Sequence, residues 1–239
     1  MKKREFPLIV IISLILISQL LSSCFYRIKG NGKIVKSERE LRNFNSIKIS
    51  NGLDLILTQD TLEKVFVEAD ENLQKIIKTE VSNSELRIYS TEPIFNSSGL
   101  KIYVTTKDLK KVEASSGSDV KSPSMLNLQD LKVTASSGAD VTLTLSCSDL
   151  EAKNSSGSDI SLSGKTGKLI IESSSGSDVN AEKMNSETCS VRASSGSDVK
   201  VSASKKIEAH ASSGSDITVY GNPIERDIEK SSGGSVRFK

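Results

Sequence analysis

The chain has 239 residues, 36% of them hydrophobic, with no Trp, 4% aromatic residues and a single His. Its 32 basic and 30 acidic residues nearly cancel, and removing the leader's Lys2, Lys3, Arg4 and Glu5 leaves 29 of each sign. A balanced chain without a basic run or aromatic stacking platforms argues against nucleic acid binding, and one His excludes multi-His metal sites and most His-dependent catalysis.

Residues 1–23 read as a secretory leader. Lys2, Lys3 and Arg4 precede a 14-residue run from Leu8 to Leu21, broken only by Ser13, Ser18 and Gln19. Such a run is short for a membrane span and suits a signal-peptide core. It ends in Leu21-Ser22-Ser23-Cys24, which resembles the bacterial lipoprotein cleavage box; the resemblance implies a mature chain that begins at Cys24 and is acylated there. Several acyl chains anchor stably, since each buried methylene adds roughly 0.8 kcal/mol. An uncleaved anchor or a secreted protein with an incidental Cys24 is the competing reading. Phe25-Tyr26-Arg27 carries no acidic retention or export tag, so the outer membrane is expected with the leaflet open. Residues 24–39 read as a tether.

Residues 40–106 read as an irregular β part. In Ser50-Asn51-Gly52-Leu53-Asp54-Leu55, Ile47, Ile49, Leu53, Leu55 and Leu57 share one phase. Lys64 to Ala69 and Glu85 to Ser90 read as strands, and Glu71 to Lys78 as a short helix capped by Asp70. Ser97-Ser98-Gly99-Leu100-Lys101-Ile102 repeats the motif with Lys101 for Asp, 18 residues before Gly117. A soft boundary is expected near Lys107.

From 107 to 239 one hexapeptide, Ser-Ser-Gly-Ser-Asp-Val in its commonest form, recurs seven times. Its glycines are Gly117, Gly138, Gly157, Gly176, Gly196, Gly214 and Gly233, spaced 21, 19, 19, 20, 18 and 19 apart. Gly52 marks an outlying copy. A fixed period near nineteen makes each copy one coil of a solenoid. The flanks, such as Leu131, Val133, Ala135 and Val141, Leu143, Leu145, alternate with period two, as half-buried strands do. Nineteen residues cannot hold a strand plus a crossover helix. The expectation is therefore all-β: a right-handed parallel β-helix, its seven coils roughly 34 Å tall. Positions at odd offsets from each glycine, one before and one after included, are assigned inward, and the first Ser, the Gly and the Asp outward. The glycine supplies a bend or a positive φ. Cys147 and Cys189 fall about two coils apart, roughly 10 Å, beyond disulfide reach, so free buried thiols are expected. Ser231 to Ser235 lacks the Asp and reads as the terminal copy, whose edge invites self-association.

The candidate site is a column of Asp54, Asp119, Asp140, Asp159, Asp178, Asp198 and Asp216, about 5 Å apart and repelling by about 0.9 kcal/mol per neighbour in water. Two compensations are open. Each Asp accepts turn N–H and serine hydrogen bonds in an Asx-type turn, or the row holds Ca²⁺, which favours carboxylate oxygens. Gly-Ser-Asp-Val echoes half of the calcium-binding nonapeptide, whose period is nine instead of nineteen. No nucleophile elbow, P-loop or dinucleotide fingerprint occurs, and His210 falls in an outward phase as a solvated side chain, so no catalytic residue, cofactor or metal site is assigned. Outward Lys121, Lys132, Lys153, Lys168, Arg192 and Lys200 complete a regular polar face that suits a periodic ligand, a glycan or an envelope protein.

Phe44-Asn45-Ser46-Ile47 leading into Ser50 to Gln59, then Val67 to Leu73, Leu86 to Tyr89, Ile102 to Thr105 and the Ser-Gly-Ser-Asp-Val array resemble, in that order, the GIN-domain family of Bacteroidota lipoproteins described as auto-transporter adhesin head domains. The resemblance implies a right-handed β-helix-like fold at the cell envelope and brings no established activity. The function expected is a non-enzymatic, lipid-anchored structural or adhesin-like rod. The alternatives are a glycan- or protein-binding scaffold with a specific partner and, third, a polysaccharide-degrading enzyme.

Overall fold

The computed structural model describes residues 27–239; the leader and Cys24 lie outside the described residues. The chain is all-β, a solenoid of about seven turns with coils near 19 residues. Its strands are, in order, β1 (Ile34–Arg39), β2 (Ser46–Ile49), β3 (Asp54–Gln59), β4 (Lys64–Asp70), β5 (Ile77–Ser82), β6 (Glu85–Ser90), β7 (Leu100–Thr106), β8 (Lys111–Ser115), β9 (Asp119–Lys121), β10 (Leu126–Asn127) and β11 (Asp130–Ser136). Four long strands follow, β12 (Asp140–Ser155), β13 (Asp159–Ser173), β14 (Asp178–Ala193) and β15 (Asp198–Ala211), then β16 (Asp216–Tyr220), β17 (Glu225–Lys230) and β18 (Ser235–Phe238).

Pairing along the repeat is parallel, glycine period on glycine period, with irregularities between Ser161 and Ser163, between Ala181 and Asn185 and between Ser186 and Thr188. β12 meets β13 from Asp140↔Asp159 through Asn154↔Ser173, and β13 meets β14 from Asp159↔Asp178 through Ser173↔Ala193. Each coil thus contributes one segment after its Ser-Gly corner and one before the next. The inner rows are aliphatic, for example Val120, Val141, Ile160, Val179, Val199 and Ile217 from one segment and Leu131, Leu150, Leu169, Cys189 and Ile207 from the other, none more than 3% exposed. Next to the corner the buried row shrinks to Ala114, Ala135, Asn154, Ser173, Ala193 and Ala211. Small side chains there let the two segments converge, which accounts for the missing large rings.

The amino-terminal part departs from the expected order of coils. β2 and β3 pair with β6 and β7 on one side and with β8 and β9 on the other. The coil at residues 46–59 is therefore sandwiched between residues 85–106 and 111–121, and the 18-residue step from Gly99 to Gly117 joins coils that are not neighbours. Strands on both sides of residue 107, β7 ending at Thr106 and β8 beginning at Lys111, belong to one 18-stranded sheet. Three antiparallel pairings close this end, β1 on β4, β4 on β7, and β5 on β6. The expected tether is part of that closure, since Ile28 bridges Ile94 and residues 34–39 form β1.

The expected helix at Glu71 to Lys78 is a single 3-10 turn, Glu71–Leu73, followed by β5. Asp70 makes no side-chain cap. It is buried and accepts backbone N–H bonds from Gly32, Ser98 and Gly99, pinning the incoming chain and the start of β7 to the end of β4. Burial alone would raise its carboxyl, but these donors outweigh it and hold the group below the ordinary carboxylate range.

Candidate binding groove

The corner of each coil is two residues in left-handed backbone. Ser116, Ser137, Ser156, Ser175, Ser195, Ser213 and Ser232 have φ between 48° and 59°, and each is followed by its repeat glycine at φ between 63° and 79°. Consecutive positive φ values turn the chain as a type I′ turn does. The serine before the glycine consequently points to solvent, as at Ser116 and Ser156, which corrects its inward assignment: the corner interrupts the two-residue alternation. Corners stack through Gly N–H groups that donate to the serine carbonyl of the next coil, such as Gly157 N to Ser175 O at 3.2 Å.

The residue after the glycine is inward as expected, and it carries the corner's polar chemistry. Ser158, Ser177, Ser197 and Ser215 are 0% exposed. Ser158 Oγ accepts from Ser155 N at 3.2 Å, and its one proton is shared between Ser155 O at 2.9 Å and Ala135 O of the neighbouring coil at 3.0 Å. Ser215 Oγ repeats this with Ser212 N and Ala193 O. These serines, whose burial the odd-offset assignment gave but whose hydrogen bonds it did not, do what the Asx turn was expected to do. Among the described residues, the column carboxylates accept no bond from their own turn's N–H groups.

The Asp column itself forms. Asp54, Asp119, Asp140, Asp159, Asp178, Asp198 and Asp216 are in register, with Lys101 next to Asp54 at one end and Ser235 next to Asp216 at the other. Lys121 lies 3.6 Å from Asp119, and Arg237 lies 3.2 Å from Asp216. Partial burial, then the charge of Asp119, raises the carboxyl of Asp54; partial burial, then Asp119 and Asp159, raises that of Asp140. The carboxylates run one per coil in a line, and no three potential metal ligands converge among the described residues.

The opposite outer face solves its electrostatics differently. The column four residues before each glycine runs Lys48, Glu113, Thr134, Lys153, Glu172, Arg192, His210 and Glu229. Here opposite charges meet, Lys48 to Glu113 at 3.1 Å and Lys153 to Glu172 at 2.7 Å, and His210 Nδ1 lies 2.8 Å from Glu229 Oε2. Hydrogen bonds from Lys132 and Lys153 hold the Glu151 carboxyl low. His210 is a partly exposed surface side chain.

Between this column and the corner runs a groove of about 530 Å³ that crosses five coils, from Thr134 to Ser212. Lys153, Glu172, Arg192 and His210 form one wall, Ser155, Ser174, Ser194 and Ser212 line the corner side, and the backbone of Ala135, Asn154, Ser173 and Ala193, whose side chains turn inward, makes the floor. A second groove at the far corner includes Cys147, Thr166, Ser186 and Ser202. Both Cys147 and Cys189 are free. Cys147 Sγ donates to Thr166 Oγ1, whereas Cys189 sits in the core, where burial pushes its thiol up to about 12.

A family model described as "Putative auto-transporter adhesin, head GIN domain" matches residues 43–223. No curated protein matches the chain. Among solved structures, the chain is similar to a "putative adhesin" of Bacteroides fragilis, with TM-score 0.84 and 18% identity over 89% of this chain and 100% of that one. It is also similar to a "putative adhesin" of Parabacteroides merdae, with TM-score 0.71, 18% identity and coverage of 89% and 99%. A "putative lipid binding protein" of Parabacteroides distasonis aligns with TM-score 0.72, 17% identity and the same coverage. At these identities the likeness is one of fold.

Proposed function

Because the chain belongs to the auto-transporter adhesin head GIN-domain family, we propose that it is a non-enzymatic, lipid-anchored rod of the cell envelope, held at the outer membrane through Cys24 and acting by adhesin-like attachment. The observation that carries this reading is the form of the outer surface: along the repeat the outward positions flanking each corner recur once per coil, so they form continuous polar columns instead of a converging set of reactive groups. A stacked surface of this kind recognises a repetitive partner by adding a small increment per coil. His210 Nδ1 faces Glu229, and the buried corner serines spend their hydroxyls on the backbone.

Two measurements test the proposal. Growth with a labelled fatty acid should label the full-length protein and leave Cys24→Ala unlabelled; label in the variant would remove the anchor. The full-length protein in detergent micelles, immobilised on beads, should retain polysaccharide or protein from an envelope fraction. A folded protein that retains nothing would contradict attachment as its role.

A further inference from the structure

The groove across five coils narrows the chemistry of the partner, an inference that rests on the attachment reading above. In its charged wall, Lys153 lies 3.3 Å from Glu151 and 2.7 Å from Glu172, and His210 lies 2.8 Å from Glu229. Arg192, between Glu172 and His210 in register, is exposed and has no carboxylate within 4.0 Å among the described residues. It is the one cation of this wall that the ladder leaves unpaired. On the corner side the hydroxyls of Ser155, Ser174, Ser194 and Ser212 make no hydrogen bond within the described residues.

We propose that this groove binds a carboxylate-bearing polysaccharide laid along the rod axis. The Arg192 guanidinium takes a sugar carboxylate as a two-pronged, charge-assisted pair. The serine hydroxyls exchange hydrogen bonds with successive sugar units, one per coil. No aromatic side chain lines the groove, so recognition runs through hydroxyl and carboxylate contacts and not through stacking on the apolar face of a sugar. An extended peptide fits worse. Its residues on one face repeat every ~6.7 Å, out of step with hydroxyls about 4.8 Å apart, and its backbone would find no free strand edge on the face of a sheet.

The test is calorimetric titration of the full-length protein in detergent with oligogalacturonates of increasing length, against cello-oligosaccharides and polyglutamate. Affinity for the acidic sugars should rise with length and level off near five units, the number of coils crossed. Arg192→Gln should weaken it by about tenfold or more, the scale of one charge-assisted bond. Arg192→Lys should restore part of the loss, and Lys200→Gln, on the other outer face, should leave affinity unchanged. Equal binding of neutral sugars, affinity independent of length, an unaffected Arg192→Gln or a preference for polyglutamate would each overturn the proposal. If the protein still retains envelope material but ignores acidic sugars, the groove assignment falls and the attachment reading stands; if it retains neither, both fall.

Discussion

Two glycines show how differently one residue type is required. Gly157 has φ 65°, and a Cβ there would meet nothing within 4 Å, so Gly157→Ala should cost only the left-handed backbone preference, about 1 kcal/mol. Gly164, at φ 118°, would drive its Cβ into the Leu145 carbonyl oxygen of the neighbouring coil, and a backbone atom in a ladder cannot yield. Gly164→Ala should therefore cost about 2–3 kcal/mol or more in denaturant unfolding; equal losses would contradict the assignment. Ser156→Asn should be neutral or stabilising, because Asn tolerates the left-handed region, as Asn51 does at φ 68° in the same corner position. The Asp column gives a pH-dependent case. A raised folded pKa means stability is fully present below the ordinary 3.8 and is lost as pH rises through the folded value. Asp140→Asn should accordingly raise the stability by about 0.5 kcal/mol at pH 7, and the gain should vanish below about pH 4. A melting series showing the gain at low pH instead would reverse the sign. The thiols divide as well: alkylation should label Cys147 in the folded chain and reach Cys189 only on unfolding.

At the scale of elements, the repeat half was legible because one strongly patterned hexapeptide fixes both period and register. The first hundred residues were less so. Spacing alone places Gly99 one period before Gly117, yet the coil at 46–59 lies between them, and pairing by β2 and β3 on both edges is invisible in a linear pattern. Lys101 nonetheless occupies the column position read for it, beside Asp54 instead of Asp119. Residues 71–78 have helical propensity but bury Leu73, Ile76 and Ile77 against the stack, and tertiary contact overrides the local preference. Asp70 was read as a cap from its place before that segment; its buried role depends on Gly32 and Ser98, far away in sequence. Asp70→Asn should loosen this end alone, with amide exchange at Gly32, Ser98 and Gly99 faster by about tenfold and the repeat coils unchanged. Because the folded carboxyl is depressed, its contribution is present above the ordinary 3.8 and lost as pH falls through the folded value. Uniform acceleration along the chain would show that Asp70 holds the whole stack and not this end.

The whole molecule is a rod with unlike ends. Antiparallel strands close the amino-terminal end, while β17 and β18 leave parallel edges at the other, the edge that the sequence marks for self-association. That edge carries obstacles: outward Glu225, Asp227 and Glu229 form an acidic row, and Arg226 and Lys230 stand in register with Ile207 and Ala211 of the previous coil, which are buried. Arg226 covers the Phe238 ring at 4.4 Å, and Lys230 Nζ reaches Val236 O at 3.3 Å. Charges placed at core positions of an edge strand oppose strand addition. What remains for a partner is the long polar side of the rod, and the central claim is that attachment runs along it. The most direct measurement compares retention of envelope polysaccharide by the wild-type protein and by the Ser155→Ala, Ser174→Ala, Ser194→Ala triple variant, both shown to be folded by their melting curves. The triple variant should keep its fold and lose retention; undiminished retention by that variant would contradict attachment along the groove.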